Sequence, residues 1–150
     1  MGTFAKLLAD FGATTGIPSL AADSEGYCIL ELDEKVVLVM QYEQETESIV
    51  FYTDLGKYPR TCEQAVFFDI LQANCLWAGT GGTTLGINAE NNSVLMCYRL
   101  QTLNLEPETF ERTIESFTNT AEYWTGRIEA LGRDDTGMSI SESVPMGIRV

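Results

Sequence analysis

The sequence contains no histidine, and this absence narrows the chemistry that the chain can perform. Histidine is the usual general base of nucleophilic catalysis near neutral pH and the commonest metal-binding side chain. The 4 cysteines are widely spaced, without a CxxC pair that would indicate zinc binding or redox exchange. A carboxylate-dependent enzyme stays open as a hypothesis, but the composition favours a binding protein without catalytic residues, metal or cofactor.

Basic residues are scarce, with 9 Lys and Arg against 22 Asp and Glu and a net charge of −13. Nucleic-acid binding depends on clustered cations that displace counterions from phosphates, so this balance argues against nucleic acid as a partner. No apolar run approaches the roughly 20 residues of a membrane span, and the first residues lack a signal-peptide pattern. We therefore expect a cytoplasmic protein without membrane insertion. Its cysteines lie among apolar residues and are interpreted as reduced core thiols: Cys28, Cys62, Cys75 and Cys97.

The spacing of apolar residues predicts an α+β domain over residues 1–132, followed by a flexible polar tail over 133–150. The predicted order is helix, three strands, helix, two strands, helix, with a twisted antiparallel sheet packed against the helices. The nearly continuous apolar run of the second strand indicates a strand covered on both faces. Two predicted helices cover residues 3–14 and 61–79, the second with Thr61 as its cap, and the last helix has Asn104 as its cap, Pro107 in its first turn and Gly132 at its end. The predicted strands cover residues 27–32, 35–42, 48–53, 83–88 and 94–100.

The predicted middle helix, residues 61–79, is apolar around its whole circumference. One side can cover the sheet of its own domain, but a domain of this size cannot surround a helix completely. Two copies packed across a two-fold axis would cover the other side, so the pattern favours a homodimer. A central core helix in a monomer is the alternative.

The first helix carries an apolar stripe that ordinary packing against the sheet explains, although a cargo groove beside it, reaching Ile17 and Leu20, is the functional alternative. Several short motifs follow one another along the predicted helices and strands. They are Phe11-Gly12 with Gly16-Ile17-Pro18-Ser19-Leu20, Gly26-Tyr27-Cys28, Phe68-Asp69-Ile70-Leu71-Gln72-Ala73-Asn74 with Leu76-Trp77 and Gly81-Gly82, and Phe110-Glu111 to Tyr123-Trp124. With these motifs the sequence resembles the Tir-chaperone (CesT-type) family, the class I chaperones of bacterial type III secretion, over about residues 3–131.

The resemblance implies a homodimeric chaperone that binds the extended N-terminal segment of one or several effectors and keeps them soluble and export-competent. A regulatory protein that sequesters a regulator of secretion genes is the alternative. Residues 144–150 resemble the tails of some family members, including ones that serve several cargos or regulate secretion genes. The secretion export ATPase is a further candidate partner. The matching positions place cargo contacts on Phe4, Leu7, Leu8, Phe11, Ile17, Leu20, Ile29 and Val37. They place dimer contacts on Phe67, Phe68, Leu71, Asn74 and Trp77.

Overall fold

The computed structural model describes residues 2–134, within which three α-helices and five strands form in the predicted order. The strands make one sheet with the order β1-β2-β3-β5-β4, which confirms the α+β prediction. The elements are α1 (Gly2–Thr15), β1 (Tyr27–Leu32), β2 (Val36–Glu43), β3 (Ser48–Lys57), α2 (Glu63–Asn74), β4 (Thr84–Asn88), β5 (Ser93–Gln101) and α3 (Pro107–Asp134).

The described residues fall into two compact units, the first from residues 2–53 and 97–119, the second from 54–96 and 120–134. The predicted domain boundary at residue 132 stays a prediction. Gly132 was expected to end the last helix, but α3 continues through it to Asp134, because this glycine keeps a helical backbone. The tail expected over residues 133–150 lies outside the described residues from residue 135 onward.

In the first unit, β1, β2 and β3 pair antiparallel, with Cys28 opposite Met40 and Met40 opposite Phe51. These inward side chains are buried, and the Phe51 ring lies 6.1 Å from the ring of Phe110 and 5.8 Å from that of Phe117 on α3. The sheet therefore buries one face against aromatic side chains. The prediction that β2 is covered on both faces is wrong, because its outward residues alternate with buried ones and stay partly exposed.

The helix α1 packs its apolar stripe into the same core. Its Phe4 ring stacks on Tyr42 at 5.9 Å, and its Phe11 ring meets Phe110 edge-on at 6.2 Å. The chain leaves the helix through a close turn in which the Ile17 N–H donates to the Gly12 carbonyl at 2.9 Å. A Cβ atom on Gly12 would lie 2.7 Å from the Ile17 carbonyl oxygen, so this position requires glycine.

In the second unit, α2 is shorter than the predicted helix over residues 61–79. Thr61 does not cap it, since α2 follows a 3₁₀ turn, Arg60–Cys62, and its first turn has no side-chain cap. A second 3₁₀ turn, Cys75–Trp77, ends it, with positive φ at Leu76 (54°) and Trp77 (56°). The Gly79 N–H then donates to the Ala73 carbonyl at 3.0 Å, so the chain folds back on the helix end.

The C-terminal half of α3 holds this end of α2 in place. The indole Nε1 of Trp124 donates to the Gly79 carbonyl at 2.9 Å, and Arg127 forms a two-point ion pair with Asp69 at 2.6 and 3.2 Å. Ala73 and Val66 are buried, so one face of α2 belongs to the core of this unit.

All four cysteines are free thiols, but the prediction that all belong to the core is wrong for two of them. Cys28 and Cys62 are buried. Cys75 is exposed because it lies where α2 ends, and Cys97 is exposed because β5 turns it to the uncovered face of the sheet.

Candidate binding surfaces

The first candidate surface lies on β1 and β2. Ile29 and Val37 are 65% and 51% exposed, although both are apolar residues inside strands. The strand register places Ile29 opposite Val39 and Glu31 opposite Val37, so these side chains share the outward face. We call Tyr27, Ile29, Val37 and Val39 the β1 surface; Tyr27 and Val39 are half-exposed.

Four of the eight predicted cargo residues are buried in the core of the first unit instead. Their side chains, Phe4, Leu7, Leu8 and Phe11, are at most 7% exposed because the α1 stripe packs inward. Ile17 and Leu20, in the segment that follows the helix, are half-exposed. A cargo role for α1 itself stays a prediction, and its placement in the core does not favour direct contact.

The second candidate surface lies on α2 and on the 3₁₀ turn that follows it. We call the four exposed apolar residues the α2 surface: Phe68 (62% exposed), Leu71 (69%), Leu76 (76%) and Trp77 (57%). Three of them were predicted dimer contacts. Leu76 was not among the predicted dimer contacts, although it precedes Trp77, which was.

The other two predicted dimer residues are engaged within their own unit. Phe67 is half-buried, with its ring edge-on to Tyr58 at 5.7 Å. The Asn74 amide makes two hydrogen bonds with the backbone of Leu85: the Leu85 N–H donates to Oδ1 at 3.0 Å, and Nδ2 donates to the Leu85 carbonyl at 2.9 Å. Asn74 therefore fixes β4 to α2, and its part in a dimer stays a prediction.

Charge near the β1 surface is predominantly negative. Asp23, Glu25, Glu31, Asp33 and Glu34 are all exposed, and Lys35 is the one basic residue in the same stretch. Burial raises the pKa of the Cys28 thiol, and the carboxylate of Asp23 raises it further. The thiol beneath this surface is therefore protonated and weakly nucleophilic at neutral pH.

Two further features are absent from residues 2–134. No helix there has the length and apolarity that crossing a membrane requires. No group of three or more His, Cys, Asp or Glu side chains in this part of the chain could hold a metal ion. The β1 surface and the α2 surface are therefore the candidate binding sites among the described residues.

Comparison with known proteins decides the family. The family model described as the Tir chaperone protein (CesT) family matches residues 6–125. The chain belongs to this family. The resemblance noted in the sequence is therefore confirmed, together with the fold and the function of a type III secretion chaperone that binds effectors.

Individual relatives of this CesT-family chain agree with that placement. A Chlamydia pneumoniae protein is 31% identical over 121 residues, covering 79% of this chain and 91% of that protein. The transcriptional anti-antiactivator ExsC of Pseudomonas aeruginosa is 26% identical over 119 residues, covering 79% and 81%.

Solved structures show the same fold. ExsC in its complex with ExsE superposes with a TM-score of 0.73 at 24% identity, covering 85% of this chain and 94% of that one. The Yersinia pestis type III secretion chaperone SycH, in complex with a fragment of YscM2, has a TM-score of 0.66 at 16% identity and coverages of 81% and 98%. These likenesses establish the fold, while the family model carries the assignment.

Proposed function

We propose that this chaperone binds the extended N-terminal segment of its effector on the β1 surface, in the cytoplasm before export. The observation that carries the proposal is an exposed apolar patch beside an unpaired strand edge: among residues 2–134, β1 has β2 as its one neighbour. An extended segment added to that edge gains backbone hydrogen bonds whatever its sequence, and the exposed apolar residues select its side chains.

Burying the exposed side chains of the β1 surface would contribute appreciably to the free energy of cargo binding. Fully burying an Ile or Val side chain contributes roughly 1.5–3 kcal/mol. Ile29 and Val37 are 65% and 51% exposed, so covering both would contribute about 2–3 kcal/mol before the cost of ordering the cargo. The buried α1 residues would then support the surface from within, and Ile17 and Leu20 would extend it.

The α2 surface is proposed as the homodimer interface. Phe68 and Leu71 lie one helical turn apart on the exposed side of α2, opposite the buried stripe of Val66, Ile70 and Ala73. A second copy of this surface would remove these side chains from water, and a two-fold axis allows each copy to cover the other.

A regulatory role is the second candidate, because the relative ExsC is described as a transcriptional anti-antiactivator. The same β1 surface would then hold a regulator of secretion genes and release it when effectors leave. Binding to the secretion export ATPase and the absence of catalysis are also parts of the proposal, and both stay predictions.

Effector binding is tested by co-expressing the chain with candidate effectors and digesting the purified complex with protease. We expect a protected effector N-terminus in a complex of two chaperones per cargo. Ile29→Glu should weaken cargo capture at least tenfold, because it places a charge on the apolar patch. Leu103→Glu is the matched control, since Leu103 is a 77% exposed apolar residue of the same unit outside the β1 surface.

If Ile29→Glu and Leu103→Glu weaken cargo capture equally, the β1 surface is not the specific binding site. No protected segment from any effector would contradict the cargo-binding mode. If deleting the gene alters transcription of secretion genes in a strain that lacks all effectors, the regulatory function is supported; unchanged transcription counts against it.

A further inference from the structure

On each of the two edge strands of the sheet, one residue has its outward N–H and C=O groups hydrogen-bonded to a polar residue of the chain itself. An uncapped edge is a row of N–H and C=O groups that can pair with another chain, and proteins limit such rows. On β4, the Asn74 amide occupies both the N–H and the carbonyl of Leu85. On β1, the corresponding cap is Asp23.

Asp23 occupies both outer backbone groups of Tyr27. The Tyr27 N–H donates to Asp23 Oδ1 at 2.9 Å, and the Asp23 N–H donates to the Tyr27 carbonyl at 2.8 Å. The same Oδ1 accepts the N–H of Glu25 at 2.9 Å, which closes the turn that leads into the strand. The first position of the outer edge is therefore filled by the chain itself.

The pairing with β2 identifies the positions that stay open. The Tyr42 N–H donates to the Gly26 carbonyl, and the Lys35 N–H donates to the Leu32 carbonyl, so the even-numbered residues point toward β2. Successive residues of an antiparallel strand alternate in direction, so Ile29 and Glu31 point their N–H and C=O groups outward, as Tyr27 does. Within residues 2–134 no strand pairs with that side of β1.

We propose that Asp23 ends the strand-accepting edge of β1 at Tyr27, so that a bound segment pairs its backbone with Ile29 and Glu31. The side chains of the bound segment that lie opposite Ile29 and Glu31 would share the outward face of the sheet with them. On that face Ile29 is 65% exposed and Glu31 carries a negative charge. The occupant is therefore an extended segment with an apolar residue and a Lys or Arg two positions apart. This inference rests on the proposed chaperone function and adds a register and a charge preference to it.

The acidic surroundings strengthen the charge preference. Five exposed carboxylates and one ammonium group lie between residues 23 and 35, so a cation on the incoming strand is attracted and an anion is repelled. A suitable probe is the capped peptide Thr-Val-Thr-Lys-Thr-Val-Thr, which presents valine and lysine two positions apart in either strand direction. Its twin carries glutamate in place of lysine.

The experiment measures amide exchange by NMR on the full-length protein, with each peptide added at millimolar concentration. In the free protein, the Ile29 and Glu31 amides should exchange fast, and the Tyr27 amide slowly. The lysine peptide should slow exchange at Ile29 and Glu31 at least tenfold without changing Tyr27. It should also bind about three- to tenfold more tightly than its twin, and Glu31→Gln should reduce that preference.

Asp23→Ala should make the Tyr27 amide exchange fast in the free protein, because the substitution removes the carboxylate that accepts this N–H, although the backbone N–H of residue 23 still donates to the Tyr27 carbonyl. The Tyr27 amide should exchange slowly again when a carbonyl group of the bound lysine peptide accepts it. Asp33→Ala is the control: it removes a carboxylate from the β1–β2 turn and should leave Tyr27 protected. Unchanged exchange at Ile29 and Glu31 with both peptides, or a Tyr27 amide that stays slow in Asp23→Ala, would overturn the inference. Effector protection from protease, measured on the same preparations, shows separately whether the chaperone function holds.

Discussion

If the chain forms the proposed homodimer through the α2 surface, Phe68→Glu is expected to convert it to a monomer without unfolding the chain. An aromatic side chain has roughly 150–250 Å² of accessible surface, so the 62% exposed Phe68 offers about 120 Å² to a partner. At about 25 cal/mol per Å², covering it contributes about 3 kcal/mol, or about 6 kcal/mol for the two copies in a symmetric dimer. The glutamate removes this contribution and adds two charges that an apolar interface leaves unpaired.

A loss of about 6 kcal/mol corresponds to a dissociation constant roughly 10⁴-fold higher. Sedimentation equilibrium over a wide concentration range measures that constant directly. The wild type should remain a dimer at nanomolar to micromolar concentrations, whereas Phe68→Glu should be monomeric. The far-UV circular dichroism spectrum of the Phe68→Glu monomer should match that of the wild type, because Phe68 is exposed within its own chain.

Tyr123→Glu is the matched control, since Tyr123 is a 63% exposed aromatic residue of the same unit outside the α2 surface. It should leave the dissociation constant nearly unchanged. A dimer of unchanged affinity in Phe68→Glu would refute the assignment of the interface to α2. Equal weakening by Tyr123→Glu would show that added charge, and not lost apolar contact, separates the subunits.

Three further predictions concern stability. Asn74→Ala should cost about 1–3 kcal/mol in urea unfolding, because it leaves the Leu85 N–H and carbonyl without the partners that the amide supplies. Arg127→Ala should cost less than about 1 kcal/mol at low salt and less still at high salt, since its ion pair with Asp69 is partly exposed. Burial and Asp23 raise the pKa of Cys28 above its ordinary value of 9.0, so the unfolded chain loses this proton first and wild-type stability should fall above that pH. Cys28→Ala should show a smaller fall in unfolding free energy between about pH 8 and pH 11, and a fall equal to that of the wild type would contradict this role of the thiol.

The spacing of apolar residues predicted the helices and strands in their correct order, because one face of each element packs against the core. The strand Tyr27–Leu32 has the predicted bounds. The helix α3 begins at Pro107, and the predicted cap Asn104, with a φ of 57°, lies before it and does not cap it. The third strand is predicted to end at residue 53, because Gly56 is expected to break the strand pattern. In the structure β3 continues to Lys57, since this glycine accommodates a φ of 115° inside the strand.

The end of α2 could not be predicted from periodicity. In a continuous helix, Trp77 would lie four residues after Ala73 and seven after Ile70, on the buried face. The positive φ angles of Leu76 and Trp77 break that face, and Trp77 is left 57% exposed. Two adjacent non-glycine residues in the left-handed region are uncommon, and the sequence has no glycine there to signal the break.

The position of the cargo surface depends on what covers α1, and a stripe of apolar residues does not contain that information. The helix α1 shows the same amphipathic pattern whether its apolar stripe contacts cargo or its own sheet. The structure resolves the ambiguity through Tyr42 and Phe110, whose rings pack against Phe4 and Phe11. Because this packing buries the stripe, the exposed side chains of Ile29 and Val37 lie on the opposite face of the sheet, and Ile29 is on a strand edge that no strand among residues 2–134 pairs. A bound segment can therefore reach an apolar side chain and a strand edge at the same place, and a substitution of Ile29 tests both parts of that site more directly than any substitution in α1.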